Sequence, residues 1–247
     1  MSKKRKILIG TSGWIYSHWN GIFYPERLSS KDKLLFYSKH FKTTEINYSF
    51  YHLPRKTTFQ NWYEVTPKDF IFSVKGSRFI THIKRLKDVE DPLKVFIENV
   101  KELKEKLGPI LFQFPPSFKI GGEGLEKFKN FLKLLKKYKL SFAFEFRHKS
   151  WFQEKIYNLL RKYNFALVIA DSSRYPKAEV STADFVYFRF HGPGSLFSSK
   201  YSKTQLKKFV QLIKKFLKEK KDIFCYFNND FSGYAIENAK ELIKLLK

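Results

Sequence analysis

The chain has 247 residues, 43% of them hydrophobic and 19% aromatic, which suits one large core or two small ones. No run of about 18 uncharged apolar residues occurs, which argues against a membrane-spanning helix, and the lone cysteine, Cys225, excludes an internal disulfide and any cysteine-cluster metal site. The formal net charge of +25 admits a polyanion such as nucleic acid as a partner, but only nine of the 48 basic residues are arginines. Many of the lysines fall on the polar faces of predicted helices, so a solvated lysine-rich surface explains the charge equally simply.

Residues 1–6 are basic and lead into only five apolar-type residues, 7–11, too short a core for a secretory signal, so the expected location is cytoplasmic. Those five residues form the first predicted strand. An aromatic loop follows, carrying Trp14, Tyr16, Trp19, Phe23 and Tyr24, and then a helix over 31–40. The second strand covers 43–47 and the second helix 56–65. The third strand covers 70–75. Asp91-Pro92 reads as an N-cap with proline in the first turn, opening a helix that reaches Leu107 and stops at Gly108-Pro109.

The fourth strand is 110–114, ended by Pro115-Pro116, and the next helix spans 124–138. The fifth strand runs from Leu140 into Glu145-Phe146-Arg147-His148, and Ser150 is expected to cap a helix reaching Tyr163. The sixth strand is 166–170 with Asp171 at its end; residues 172–183 lack periodicity and predict a loop with at most a short helix. The seventh strand, 185–190, leads into His191-Gly192-Pro193-Gly194-Ser195. A strongly periodic helix over 204–218, an eighth strand over 223–227 and a helix over 234–246 complete the chain. Eight apolar strand and helix units predict a parallel sheet covered by helices, and eight closes a (β/α)8 TIM barrel. No G-x-G-x-x-G follows a strand, which disfavours the rival open doubly wound sheet. No linker divides the chain, so residues 1–247 are read as a single domain.

Barrel chemistry gathers where strands end. Those ends carry Ser12 and Trp14; Glu45 and Asn47; Lys75; Gln113; Glu145 and Arg147; Asp171; Arg189 and His191; and Asn228. Each has a plain structural alternative. Glu145 and Arg147, two apart on one strand face with Ala143, are a site or a structural ion pair. Glu45 is a general acid or base, or a buried partner of Lys75 or Arg147. Asp171 is a metal ligand or a loop cap. His191 moves protons near neutral pH or satisfies a backbone carbonyl. Gly192, Gly194 and Ser195 cradle phosphate with their N–H groups or merely turn the chain.

Collected on one rim, these residues predict a mixed-charge pocket for an anionic small molecule, a phosphate or a carboxylate. Lys75, Arg147 and Arg189 would hold the anion. Asn47, Gln113 and Asn228 would orient it, and Trp14, Tyr51 and Trp151 would wall it. Glu45, Glu145, Asp171 and His191 are the candidates for proton transfer. No cofactor is predicted. A divalent metal on Glu145, Asp171 and His191 is the alternative, disfavoured by three nearby cations. It belongs to a rival reading as a nucleic-acid-binding or repair-type endonuclease; a third reading is a non-catalytic ligand binder.

Several segments together resemble the domain of unknown function 72 (YecE-like) family: Gly10-Thr11-Ser12-Gly13-Trp14, Glu45-Ile46-Asn47, Phe72-Ser73-Val74-Lys75, Leu111-Phe112-Gln113-Phe114-Pro115-Pro116, Glu145-Phe146-Arg147-His148, Tyr187-Phe188-Arg189-Phe190-His191-Gly192 and Phe227-Asn228-Asn229-Asp230. The resemblance covers essentially the whole chain. It implies a TIM barrel and no particular reaction.

Overall fold

The computed structural model describes residues 5–247, so Met1 to Lys4 of the basic N-terminus lie outside it. Strands β1 (Ile7–Thr11), β2 (Thr43–Ile46), β3 (Ile71–Lys75), β4 (Leu107–Gln113), β5 (Phe142–Glu145), β6 (Ala166–Asp171), β7 (Phe185–Phe190) and β8 (Asp222–Phe227) form one parallel sheet. Its order, β1-β8-β7-β6-β5-β4-β3-β2, brings the first and second strands round to each other. The helices are α1 (Lys33–His40), a single turn α2 (Tyr48–Tyr51), α3 (Lys56–Val65), α4 (Glu90–Val100), α5 (Gly124–Lys136), α6 (Glu154–Tyr163), α7 (Lys203–Lys218) and α8 (Tyr234–Leu246). The fold is the expected (β/α)8 barrel.

Side-chain alternation sorts each strand into two cores. Leu8, Leu111, Ala143, Ala166, Val168, Ala170, Phe185, Tyr187, Phe224 and Tyr226 fill the barrel, small residues of β5 and β6 facing large ones of β7 and β8. The residues between them, including Phe72, Phe112, Phe144, Ile169 and Phe188, face the helices in a larger aromatic layer. The barrel therefore closes below on packed side chains, with the Thr43, Ser73 and Tyr226 hydroxyls bonded to one another inside it, and gathers its charged groups at the upper rim.

The joint between β1 and β2 is made differently from the others. A single bridge links Ser12 and Glu45, and the Gly13 amide donates to the Glu45 carbonyl at 2.7 Å. Side chains supply the rest: Thr44 Oγ1 donates to the Thr11 carbonyl, while the Tyr37 hydroxyl accepts from the Thr11 amide and donates to the Thr43 carbonyl. Gly10 is required here, because a Cβ would sit 2.1 Å from the Thr43 carbonyl oxygen.

Three local expectations are corrected. The helix opened by Asp91-Pro92 begins at Glu90 and ends at Val100; a tighter 3₁₀ segment, Lys101–Lys106, with Lys104 at positive φ, takes the chain into β4. That strand starts at Leu107 because a register shift against β3 accommodates Gly108-Pro109, where proline offers no N–H to a regular pairing. Ser150 does not cap α6. It lies in a 3₁₀ turn, Lys149–Trp151, bonded to His148, and α6 begins after Gln153. The third strand is followed by a π-helical turn, Phe79–Ile83, that periodicity alone does not reveal. The predicted loop after β6 is present as a loop. There Thr182 Oγ1 accepts the Leu167 amide and donates to the Phe165 carbonyl, doing for β6 what a neighbouring backbone would.

A buried charge cluster beneath an open cleft

Arg189 stands at the centre of the barrel mouth, 1% exposed. β7 places it one step above Tyr187 on the inward face. Its Nη1 donates to Glu145 Oε2 at 2.6 Å and its Nη2 to Glu45 Oε1 at 2.7 Å. Glu45 also accepts from Ser12 Oγ at 2.5 Å and from the Tyr187 hydroxyl at 2.7 Å. Glu145 accepts from Arg147 Nε at 3.1 Å and lies 3.5 Å from His191 Nε2. These carboxylates are buried, and the cluster persists because each of their oxygens has a partner, although Arg189 Nε and His191 Nε2 are buried without one.

The electrostatics follow from that wiring. Burial pushes the Glu145 carboxyl upward, but Arg189, His191 and Arg147 outweigh it and hold the group well below the ordinary carboxylate range. Burial likewise opposes the charge on Arg189, and the two carboxylates more than restore it. His191 is lowered, chiefly by burial. Its Nδ1 accepts from the Asn228 amide at 3.0 Å, so the neutral ring carries its proton on Nε2, toward Glu145.

Above the cluster lies a cleft of about 690 Å³ lined by Tyr16, Asn47, Phe50, Tyr51, Lys75, Arg78, His82, Gln113, Arg147, Phe197, Asn228 and Asp230. Lys75 enters from the end of β3, its ammonium 3.9 Å above the centre of the Phe50 ring. It pairs with no carboxylate among the described residues, since the nearby acids are held by Arg189 and Arg147. Burial, reinforced by Arg189, lowers its pKa to about 7. Arg147 lies over the Tyr175 ring at 4.4 Å. His82 accepts from Gln113 on Nε2 and donates from Nδ1 to Thr81; burial and then Lys75 bring its pKa to about 4, so it is neutral at physiological pH.

A second, more apolar groove of about 770 Å³ adjoins this cleft and shares Tyr16, Asn47 and Tyr51 with it. Trp14, Tyr48, Leu53, Pro54 and Trp62 line the groove. Trp14 is buried edge-on against Trp62, so it floors this groove and does not wall the charged cleft. At the boundary, Asn47 Oδ1 is buried without a hydrogen-bond partner.

Glu45, Glu145, Arg189 and His191 thus come together beneath the cleft, while Asn47, Tyr51, Lys75, Gln113, Arg147 and Asn228 line it. The remaining sequence candidates lie elsewhere. Asp171 is in phase with Leu167 and Ile169 and points away from the barrel interior, where it accepts from Tyr201 at 2.8 Å and Lys177 at 2.9 Å. The grouping of Glu145, Asp171 and His191 as metal ligands is therefore not formed, and among the described residues no three acidic, histidine or cysteine side chains converge as a metal site. The Gly192 amide donates to Tyr201 and the Gly194 amide to Ser199, and Ser195 spends its carbonyl on the same Ser199, so this loop turns the chain and does not present a phosphate cradle.

Trp151 is fully buried in the aromatic layer, stacked on Phe146 at 4.6 Å and on Phe118 at 5.1 Å, with its indole N–H donating to the Phe118 carbonyl. Trp151→Ala should lower stability by about 3–5 kcal/mol in urea unfolding without changing ligand affinity at the cleft; a selective loss of affinity would return Trp151 to the site. Sequence position did not single out Tyr187, although its phase two residues before Arg189 marks it. His82, Arg78, Phe50, Phe197 and Asp230 carry no such signal, because turns rather than strands deliver them.

A parallel eight-stranded barrel with a cationic cleft over a neutralised acid pair defines the class of this molecule. The chain belongs to the family described as "Protein of unknown function DUF72", whose model matches residues 8–247. It is similar to the UPF0759 protein YunF of Bacillus subtilis (strain 168), 26% identical over 97% of this chain and 94% of that one. The UPF0759 protein YecE of Escherichia coli (strain K12) is 27% identical over 59% of this chain and 50% of its own. Among solved structures, a DUF72 family protein (TM1631) from Thermotoga maritima MSB8 superposes with a TM-score of 0.87 at 31% identity, covering 98% of this chain and 99% of that one.

Proposed function

We propose that this protein binds an anionic small molecule in the cleft at the C-terminal mouth of the barrel and moves protons on it. The observation that carries the reading is the distribution of charge. Lys75, Arg78 and Arg147 line the cleft against one acid, Asp230, whereas Glu45 and Glu145 lie below it with their charges taken up by Arg189. The surface offered to a ligand is thus cationic despite two acids beneath. Arg147 supplies the planar fork that suits a carboxylate, phosphate or sulfonate. The adjoining groove supports a ligand whose anionic head continues into a flat apolar body, and the unpartnered Asn47 Oδ1 calls for a ligand donor between the two. Lys75, lining the cleft, is the group able to exchange protons near pH 7.

Calorimetric titration with sulfate and benzenesulfonate, which hold a fixed charge across the working range, tests this. Both should bind saturably, the aryl compound more tightly. Lys75→Met and Arg147→Gln should each weaken binding by about tenfold or more, the loss of one charge-assisted contact. Affinity should be greatest below pH 7, where Lys75 is charged, and fall as pH rises through about 7. Absence of saturable binding, or binding indifferent to both substitutions, would remove the reading.

A further inference from the structure

We propose that Lys75 is a carbonyl-trapping nucleophile, its ε-amine condensing with an aldehyde or ketone carbon of a substrate held in the cleft to form an imine. This rests on the cleft being an anion site, and it narrows the ligand to a carbonyl compound that also carries a negative charge. In the step, the amine nitrogen forms the new bond to carbon. The carbonyl oxygen leaves as water with the two amine hydrogens, and no oxidant or reductant is consumed.

The geometry separates Lys75 from an ordinary anion-holding lysine. It ends β3 on the inward face, in phase with Ser73 and Ile71, and is 9% exposed. Its head rests on the Phe50 ring, with no hydrogen-bond or ion-pair partner among the described residues. The groups that face it are Glu45 of β2, Glu145 of β5, Arg147 two residues beyond it, Arg189 of β7 and His82 of the turn after β3; Arg78 and Asp230 share its cleft. Both nearby carboxylates are occupied by arginines and neither contacts the lysine, so their pull on its proton, with that of the Phe50 ring, is outweighed by burial and Arg189. Lys177 shows the contrast: paired with Asp171 and Glu179, its pKa is raised and its amine stays protonated. About half of Lys75 is free amine at neutral pH, roughly 10³ times the fraction of a solvated lysine. Arg78 and the Nη2 of Arg147, whose Nε and Nη1 serve Glu145 and Tyr175, remain available for the substrate's anionic group.

Glyoxylate, an anionic aldehyde, with cyanoborohydride at pH 7 traps such an imine as a stable amine, and peptide mass spectrometry locates it. Lys75 should be labelled at least about tenfold faster than any other described lysine, with sulfate slowing that labelling alone. Lys75→Arg should lose the fast adduct while the remaining lysines react as before, which shows that the variant is folded. Labelling of Lys75 no faster than surface lysines overturns the proposal. If sulfate still binds in that case, the anion site survives and only the covalent step falls; if sulfate does not bind either, both fall. Fast labelling that sulfate does not slow keeps the nucleophile and removes the anion reading.

Discussion

Arg189→Met should destabilise the protein by about 3–5 kcal/mol, the usual consequence of removing one partner from a buried ion cluster. For a chain of this size that is a fall in melting temperature of roughly 10 °C. The reason lies in what remains. Glu45 and Glu145 are both essentially inaccessible to solvent and would face each other across the barrel mouth without the guanidinium between them. Serine and tyrosine hydroxyls would still reach Glu45, and Arg147 would still reach Glu145, but neither replaces a shared cation. The pH dependence gives the effect a signature. In the native protein Glu145 is depressed, so its contribution is present above the unfolded carboxyl pKa and is lost as pH falls through the lower folded value. In the variant, burial dominates and raises the folded pKa, so the variant gains relative stability as pH falls. Urea unfolding at pH 8 and pH 5 should therefore show the larger deficit at pH 8. A deficit below about 1 kcal/mol at pH 8 would mean that the cluster is solvated and is not the closed network described.

Lys75→Met should act in the opposite direction and stabilise the fold. A lysine whose folded pKa is about 7 carries its burial cost in full below pH 7, where folded and unfolded chains both bind the proton. The cost shrinks as pH rises, because the folded state releases the proton first, and it is gone above the ordinary lysine pKa near 10.4. Methionine keeps an unbranched apolar stem against Phe50 and removes the charge. The expected gain is about 2–4 kcal/mol at pH 6.5, discounted from the full span of the shift at about 1.4 kcal/mol per pKa unit, and close to nothing at pH 10.5. Unfolding curves at the two pH values measure it. No gain at pH 6.5 would show that the Lys75 head is hydrated. A gain in stability joined to a loss of sulfate binding is the pattern expected where a site holds a residue for function at the expense of the fold.

The barrel and much of this cluster are legible in the sequence because a strand's period of two is rigid. Thr43 and Glu45, Ser73 and Lys75, Leu111 and Gln113, Ala143 and Glu145, Tyr187 and Arg189, Tyr226 and Asn228 each pair an interior residue with the polar group above it. The same rule sets Asp171 outside with Ile169. Position at a strand end groups it with the other acids, and phase separates it. What local pattern does not carry is tertiary choice. Nothing near Arg189 states that it will neutralise acids from β2 and β5 together. Gly192 and Gly194 look open until Tyr201 and Ser199, ten or fewer residues on, consume their amides. Trp151 looks like a pocket wall until Phe118, from a loop 33 residues away, stacks on it.

The stitched joint between β1 and β2 gives the barrel a mechanical character of its own. Seven strand boundaries are backbone-paired over two to six residues, whereas this one relies on a single bridge and on hydroxyl groups. A ring yields first at its weakest link, where the fewest main-chain bonds must break. Here that link is Ser12 with Glu45, and Glu45 is also an anchor of the charge cluster. The compliance of the whole hoop is thus concentrated under the cleft. The stiff aromatic sleeve of helices bears the load elsewhere, and the mouth is where the molecule has slack to give.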